Sequence, residues 1–176
     1  MSATSFVVGE KVVYPNHGVG VIEQISNRTI GSSVERFYLL CLPSSNLKVT
    51  IPFQNAEAIG LRKIATNVEA QKVLEFLSNG ECESSADWKD RFKENSDKMR
   101  TGSLLEIAAV LKGLLILGAQ KPISVREKKM LESARFLLIT EIAMAREVEE
   151  MEVKEELNKA LSACGLRWPE PENAEA

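Results

Sequence analysis

The feature that most constrains this chain is a change of hydrophobic period at "GLRKIATN" (Gly60–Asn67). Before it lie short β-like runs, "KVVYP", "GVGVIEQI", "VERFYLLCL" and "LKVTIP", separated by the turn segments "NHG", "TIGSS" and "PSSN". Runs this short with tight turns predict a small barrel or strongly bent sheet. Pro52 closes the last run, where a missing amide donor does least harm. After Asn67 the apolar residues recur with helical spacing. The expected fold class is therefore α+β, a small N-terminal β-barrel domain followed by an all-helical domain of about five helices.

The helices are bounded by their end signals. Asn67 is expected to cap "VEAQKVLEFLS", which stops at Asn79 and Gly80. Ser84 and Asp87 read as the capping pattern of a second helix running to about Arg100, with Trp88 in or beside its first turn. A third, Ser103 to Leu117, is apolar nearly all round, ends at Gly118 and is the expected centre of a bundle. Ser124 and Glu127 form a capping box for a fourth, which carries Leu131, Ala134, Leu138, Ile142 and Ala145. A fifth places Val153, Leu157, Leu161 and Cys164 on one face. The closing "WPEPENAEA" has the composition of a frayed tail, so the chain divides into residues 1–65, 66–165 and a flexible 166–176.

A formal net charge of −3 carries no overall sign of nucleic-acid binding, so any such activity must rest on a local patch. Cys41, Cys82 and Cys164 are too scattered for a disulfide framework or a zinc site and fit a reducing cytoplasm. The N-terminus lacks the pattern of a secretory signal, and "LLEIAAVLKGLLILG" is too short to span a bilayer, so no membrane role is expected. The one histidine, His17, stands in "YPNHGVG" without a second ligand or base partner and reads as a turn residue. The acidic run "REVEEMEVKEEL" reads as a solvated helix face. Catalysis, a metal and a cofactor have no motif behind them.

Two basic clusters leave a choice open. Trp88, Phe92 and Met99, with Asn95 between them, form a stripe that could simply pack on the third helix. Alternatively Lys89, Arg91 and Lys93 surround an aromatic tip at a helix N-terminus, a place for phosphates beside an unstacked base step, against the opposing charge of Asp87 and Asp90. In "KPISVREKKMLESAR", Lys121, Arg126, Lys128, Lys129 and Arg135 outnumber Glu127 and Glu132. Here the choice is between a solvated helix face and contact with a phosphate backbone.

"GEKVVYPNHGVGVIEQI", "VTIPFQNAEAIGLR", "DWKDRFKEN" and "SVREKKMLESAR", in this order, resemble the CarD/CdnL family of bacterial transcription regulators, from about Val7 to Leu161. The first motif is shared with the polymerase-binding module of transcription-repair coupling factors. The resemblance implies a Tudor-like (SH3-like) β-domain that docks on the RNA polymerase β subunit, and a helical domain that touches promoter DNA. It implies that Trp88 wedges into the minor groove at the upstream edge of the melted bubble, with Lys89, Arg91, Lys93, Arg126, Lys128 and Lys129 on the DNA side. It places Arg28, Ile30, Lys48, Thr50, Ile51 and Pro52 on the polymerase side. Asp90 and Thr50 stand where relatives often carry basic residues, and Lys48, on the same strand face as Thr50, could partly substitute. The expected function is a non-enzymatic, cytoplasmic and monomeric regulator that stabilises the open promoter complex. The alternative is a protein adapter that does not bind DNA, with Trp88 packed into the bundle.

Overall fold

The computed structural model describes residues 5–82 and 87–169. The N-terminal part is an antiparallel sheet of five strands, β1 (Lys11–Tyr14), β2 (Gly18–Ile30), β3 (Ser33–Leu42), β4 (Leu47–Pro52) and β5 (Arg62–Lys63), in the order β4-β3-β2-β1-β5. Its buried face is built from Val12, Ile22, Tyr38, Leu40, Leu42 and Ile51, covered by Phe6, Ala56 and Leu61. The β1–β2 turn explains His17. Asn16 adopts the left-handed conformation (φ 66°), the His17 amide donates to the Tyr14 carbonyl at 2.9 Å, and the imidazole lies edge-on to Tyr14 with Nδ1 3.0 Å from the Pro15 carbonyl.

Strand β2 runs further than its apolar pattern predicts. It pairs with β3 as far as Ile30 opposite Ser33, closing in a two-residue Gly31-Ser32 turn with Gly31 at φ 64°. Glu23 is the extra residue of a bulge between Ile22 and Gln24. Because β4 reaches only to Phe37, the distal half of the β2–β3 hairpin projects past the sheet. Helix α1 (Phe53–Ile59), absent from the periodicity reading, follows directly from Pro52 at its N-cap and ends at Gly60 in the left-handed conformation.

The helical part holds α2 (Asn67–Asn79), α3 (Trp88–Thr101), α4 (Leu104–Gln120), α5 (Val125–Arg146) and α6 (Glu150–Ala163). Several ends differ from expectation for identifiable reasons. Thr66, not Asn67, caps α2, because its hydroxyl and the Glu69 carboxylate exchange bonds with each other's backbone amides. Asp87 caps α3 by accepting from the Lys89 amide, and the expected Ser84 lies outside the described residues. α4 continues through Gly118 for two more residues, since a lone glycine lowers helix propensity without ending a helix. The Ser124–Glu127 capping box of α5 is present. Cys164 is the C-cap of α6 and exposed, whereas Val153, Leu157 and Leu161 are buried. Packing also extends past residue 165, where Leu166 is buried and Trp168 lies against the core under the Arg135 guanidinium at 4.3 Å.

α4 is the hub, packed against α2, α3 and α5. Within it Lys112 is 3 % exposed, and its ammonium donates to the carbonyls of Phe76 (2.8 Å) and Gly80 (2.6 Å) at the end of α2. A buried cation is tolerable there because it faces the negative end of a helix dipole.

The sheet depends on one close approach. A Cβ on Gly20 would meet Leu40 Cδ1 at 2.7 Å, the Cys41 carbonyl at 2.9 Å and Leu42 Cδ2 at 2.9 Å. Gly20→Ala is expected to cost at least about 1–3 kcal/mol, the usual range for overpacking, measured as a lower urea midpoint with an unchanged slope.

Candidate nucleic-acid interface and sheet edge

Trp88, the first residue of α3, is 59 % exposed, with the Lys89 ammonium 5.7 Å from its ring centroid. It continues the buried stripe of Asn95 and Met99 by helical spacing, yet unlike them it faces solvent.

Arg91 does not join the exposed cations. It is 5 % exposed, and its Nε and Nη2 donate to Glu127 Oε1 at 3.0 and 2.9 Å. The other carboxylate oxygen accepts from the Ser124 amide at 3.0 Å. Glu127 therefore serves the α5 capping box and the interhelix ion pair at once. Burial pushes its pKa up, but the Ser124 amide and the Arg91 guanidinium outweigh burial and hold the carboxyl below its ordinary value. Arg91 thus acts as a strut, and the expectation that it faces phosphate is corrected, because a guanidinium tied to a buried carboxylate is not offered to solvent.

The consequence is geometric. The ion pair holds the first turn of α3 against the first turn of α5, bringing together two basic clusters that are separate in sequence. Exposed Lys89 and Lys93 from α3 join exposed Arg126, Lys128 and Lys129 from α5. Two helix N-termini converge at the same end and add their positive dipole ends to that charge. Asp87, Asp90 and Glu94 remain exposed among them and weaken the field. Of the wider cluster, Arg135 is stacked on Trp168 instead.

On the β-domain, Arg28 and Ile30 lie on the projecting hairpin, Ile30 53 % exposed and Arg28 with its guanidinium 5.4 Å from the Phe37 centroid. β1 covers β2 only from Gly18 to Val21, and the segment before β1 bonds Ile22, so beyond Ile22 this side of β2 has no ladder partner among the described residues. β4 forms a second open edge. On it Lys48 is tied to Glu23 at 3.1 Å and Thr50 is exposed. Ile51 is 1 % exposed and belongs to the core, which removes its side chain from any docking surface, and Pro52 caps α1.

The architecture is α+β, an N-terminal antiparallel sheet followed by helices. Among the described residues no cluster of three or more His, Cys, Asp or Glu could hold a metal, and no helix is long and apolar enough to cross a membrane. Residues 6–65 match the family profile described as "CarD-like/TRCF RID domain", and residues 72–158 match "CarD, C-terminal domain". The chain is 30 % identical over 149 residues to the "Putative transcription factor YdeB" of Bacillus subtilis (strain 168), covering 85 % of this chain and 97 % of that relative. The chain belongs to the CarD-like family of transcription regulators.

Two measurements check the ion pair. Arg91→Met leaves Glu127 buried without its counter-charge and is expected to lower stability by about 3–5 kcal/mol, whereas exposed Lys93→Met should stay within about 0.5 kcal/mol. Because Glu127 titrates lower when folded than when unfolded, its contribution is complete above its ordinary unfolded range and disappears as pH falls through the lower, folded one. Glu127→Gln, which can still cap α5, should flatten the acid limb of a stability–pH curve and leave its shape near neutrality unchanged.

Proposed function

We propose that the chain binds RNA polymerase through its β-domain and stabilises the open promoter complex by placing Trp88 at the upstream fork of the melted bubble, in the minor groove. The observation that carries this reading is the exposed Trp88 ring at the head of α3, flanked by cations from two helices. An aromatic wedge fits a widened, unstacked step and not a closed duplex, so it favours the melted state by differential binding. The surrounding lysines and arginines supply contacts to the backbone. The polymerase β subunit is the proposed partner of the open β2 edge, which would extend a sheet on the partner, with Arg28 and Ile30 setting specificity and Lys48 and Thr50 beside the second edge. Docking raises the local concentration of the DNA-binding end, so an acidic chain can work with a small basic patch. The adapter reading required Trp88 to be packed away, and its exposure removes that support.

The reading is tested on a promoter complex with bacterial RNA polymerase. Trp88→Ala should melt close to the wild type, because an exposed ring leaves no large cavity, and should shorten the open-complex lifetime several-fold. An unchanged lifetime with the fold intact would sink the wedge. Arg28→Glu should weaken co-purification with the β subunit and leave thermal unfolding unchanged. Retention equal to the wild type would show that the docking edge lies elsewhere.

A further inference from the structure

The two parts of the molecule have separate hydrophobic cores, so what fixes one against the other must lie in the contacts between them. Gly18 of β2 packs on α5, where a Cβ would lie 3.6 Å from Leu137 Cδ2, and the polar contacts converge on one side chain. Arg62, in β5, donates through Nη1 and Nη2 to Glu141 Oε2 and Oε1 of α5 at 2.8 and 2.6 Å. Its Nε and Nη2 also donate to the Gly102 carbonyl at the end of α3, at 2.9 and 2.6 Å. Glu141 is 2 % exposed and takes a further bond from the Ala65 amide at 2.9 Å, just before α2. Beside this cluster, Gly102 sits so close to Pro15 of the β1–β2 turn that a Cβ there would lie 3.0 Å from Pro15 Cγ.

We propose that Arg62 is a positioning residue that makes the β-domain and the Trp88 helix a single rigid body, so that the distance from the polymerase-docking hairpin to Trp88 is set by the fold and not by a flexible tether. The inference rests on the function proposed above. Only three residues separate β5 from α2, and the middle one is bonded to Glu141, which leaves little slack in the connection. α3 is held at both ends, by Arg91–Glu127 near Trp88 and by Arg62 at Gly102. The planar guanidinium suits the task because one fork bonds a carboxylate on two oxygens while also reaching a carbonyl. A lysine would preserve the charge facing Glu141 but could not span both helices.

The test pairs Arg62→Ala with Arg62→Lys, the second keeping a counter-charge for Glu141 in case the first fails to fold. In full-length protein with Cys41, Cys82 and Cys164 changed to Ser, spin labels are attached at Ser32→Cys on the hairpin and Glu94→Cys on α3. The distance distribution is read by pulsed electron paramagnetic resonance. The unlabelled variants are compared for retention on RNA polymerase, binding to duplex DNA and open-complex lifetime. The expected result is a narrow distribution with Arg62 present and a broadened one in Arg62→Lys. That variant should melt somewhat lower but stay folded at the assay temperature and keep polymerase retention and duplex binding, yet shorten the lifetime several-fold. A distribution that stays narrow in Arg62→Lys overturns the proposal, and so does a broadened one with an undiminished lifetime. If the wild-type protein itself does not extend the lifetime, the promoter-complex reading fails, while the distance measurement still decides whether Arg62 locks the domains.

Discussion

A carboxylate with almost no solvent access must be fully bonded or it destabilises the fold, and Glu141 meets that demand only when three distant parts of the chain are in place. β5 supplies Arg62, the segment before α2 supplies the Ala65 amide, and α5 supplies the carboxylate. The β-domain, α2 and α5 are joined through one charged group. The same guanidinium satisfies the Gly102 carbonyl, so the end of α3 is positioned by the contact that joins the domains. The apolar contact of Gly18 with Leu137 and Phe136 brings the same elements together, and the bidentate pair adds directional geometry to it.

A second ion pair repeats the arrangement at the other end of the bundle. Glu127 and Glu141 both lie on α5, fourteen residues and hence about 21 Å apart along a straight helix. One engages α3 at Arg91 and the other engages Arg62 at the end of α3. Two fixed points make α3 and α5 run in the same direction, with α4 returning between them. Their N-termini therefore share one end of the molecule, and the exposed cations and Trp88 gather there. Had α3 and α5 been neighbours in an up-down hairpin, Trp88 would lie beside the C-terminus of α5, where the helix dipole repels anions.

The far end of α5 carries the opposite charge. Glu147, Glu149, Glu150, Glu152, Glu155 and Glu156 cluster around the start of α6 and outnumber the cations among them, Lys154 and Arg146, the latter paired with Glu156. The net charge of −3 thus hides a separation of charge along the helical domain. A separated distribution orients a molecule in the field of a polyanion, because the acidic end is repelled while the basic end is attracted. Composition alone reports the sum and loses the arrangement.

The change of period at Gly60–Asn67 determined the α+β division, since residue alternation and helical spacing are local properties that follow from side-chain geometry alone. The Ser124–Glu127 capping box was legible for the same reason, and Thr66–Glu69 carries the same local signal one residue before Asn67, itself a residue type that caps helices. Helix α1 was hidden because seven residues are too few to establish a period, leaving only Pro52 and Gly60 as end signals. The candidate site was legible in residue types and not in roles. Arg91 and Lys93 look alike in sequence, and only a partner thirty-six residues away makes Arg91 a buried strut. Trp88 lies on the inward stripe by spacing, and only the tertiary structure decides that the ring is exposed. The sequence by itself determined the α+β division, the long helices and the charges they carry. The tertiary structure alone decided which of those charges are buried in ion pairs and which lie at the surface, because burial and ion pairing depend on distances between segments that no local pattern records.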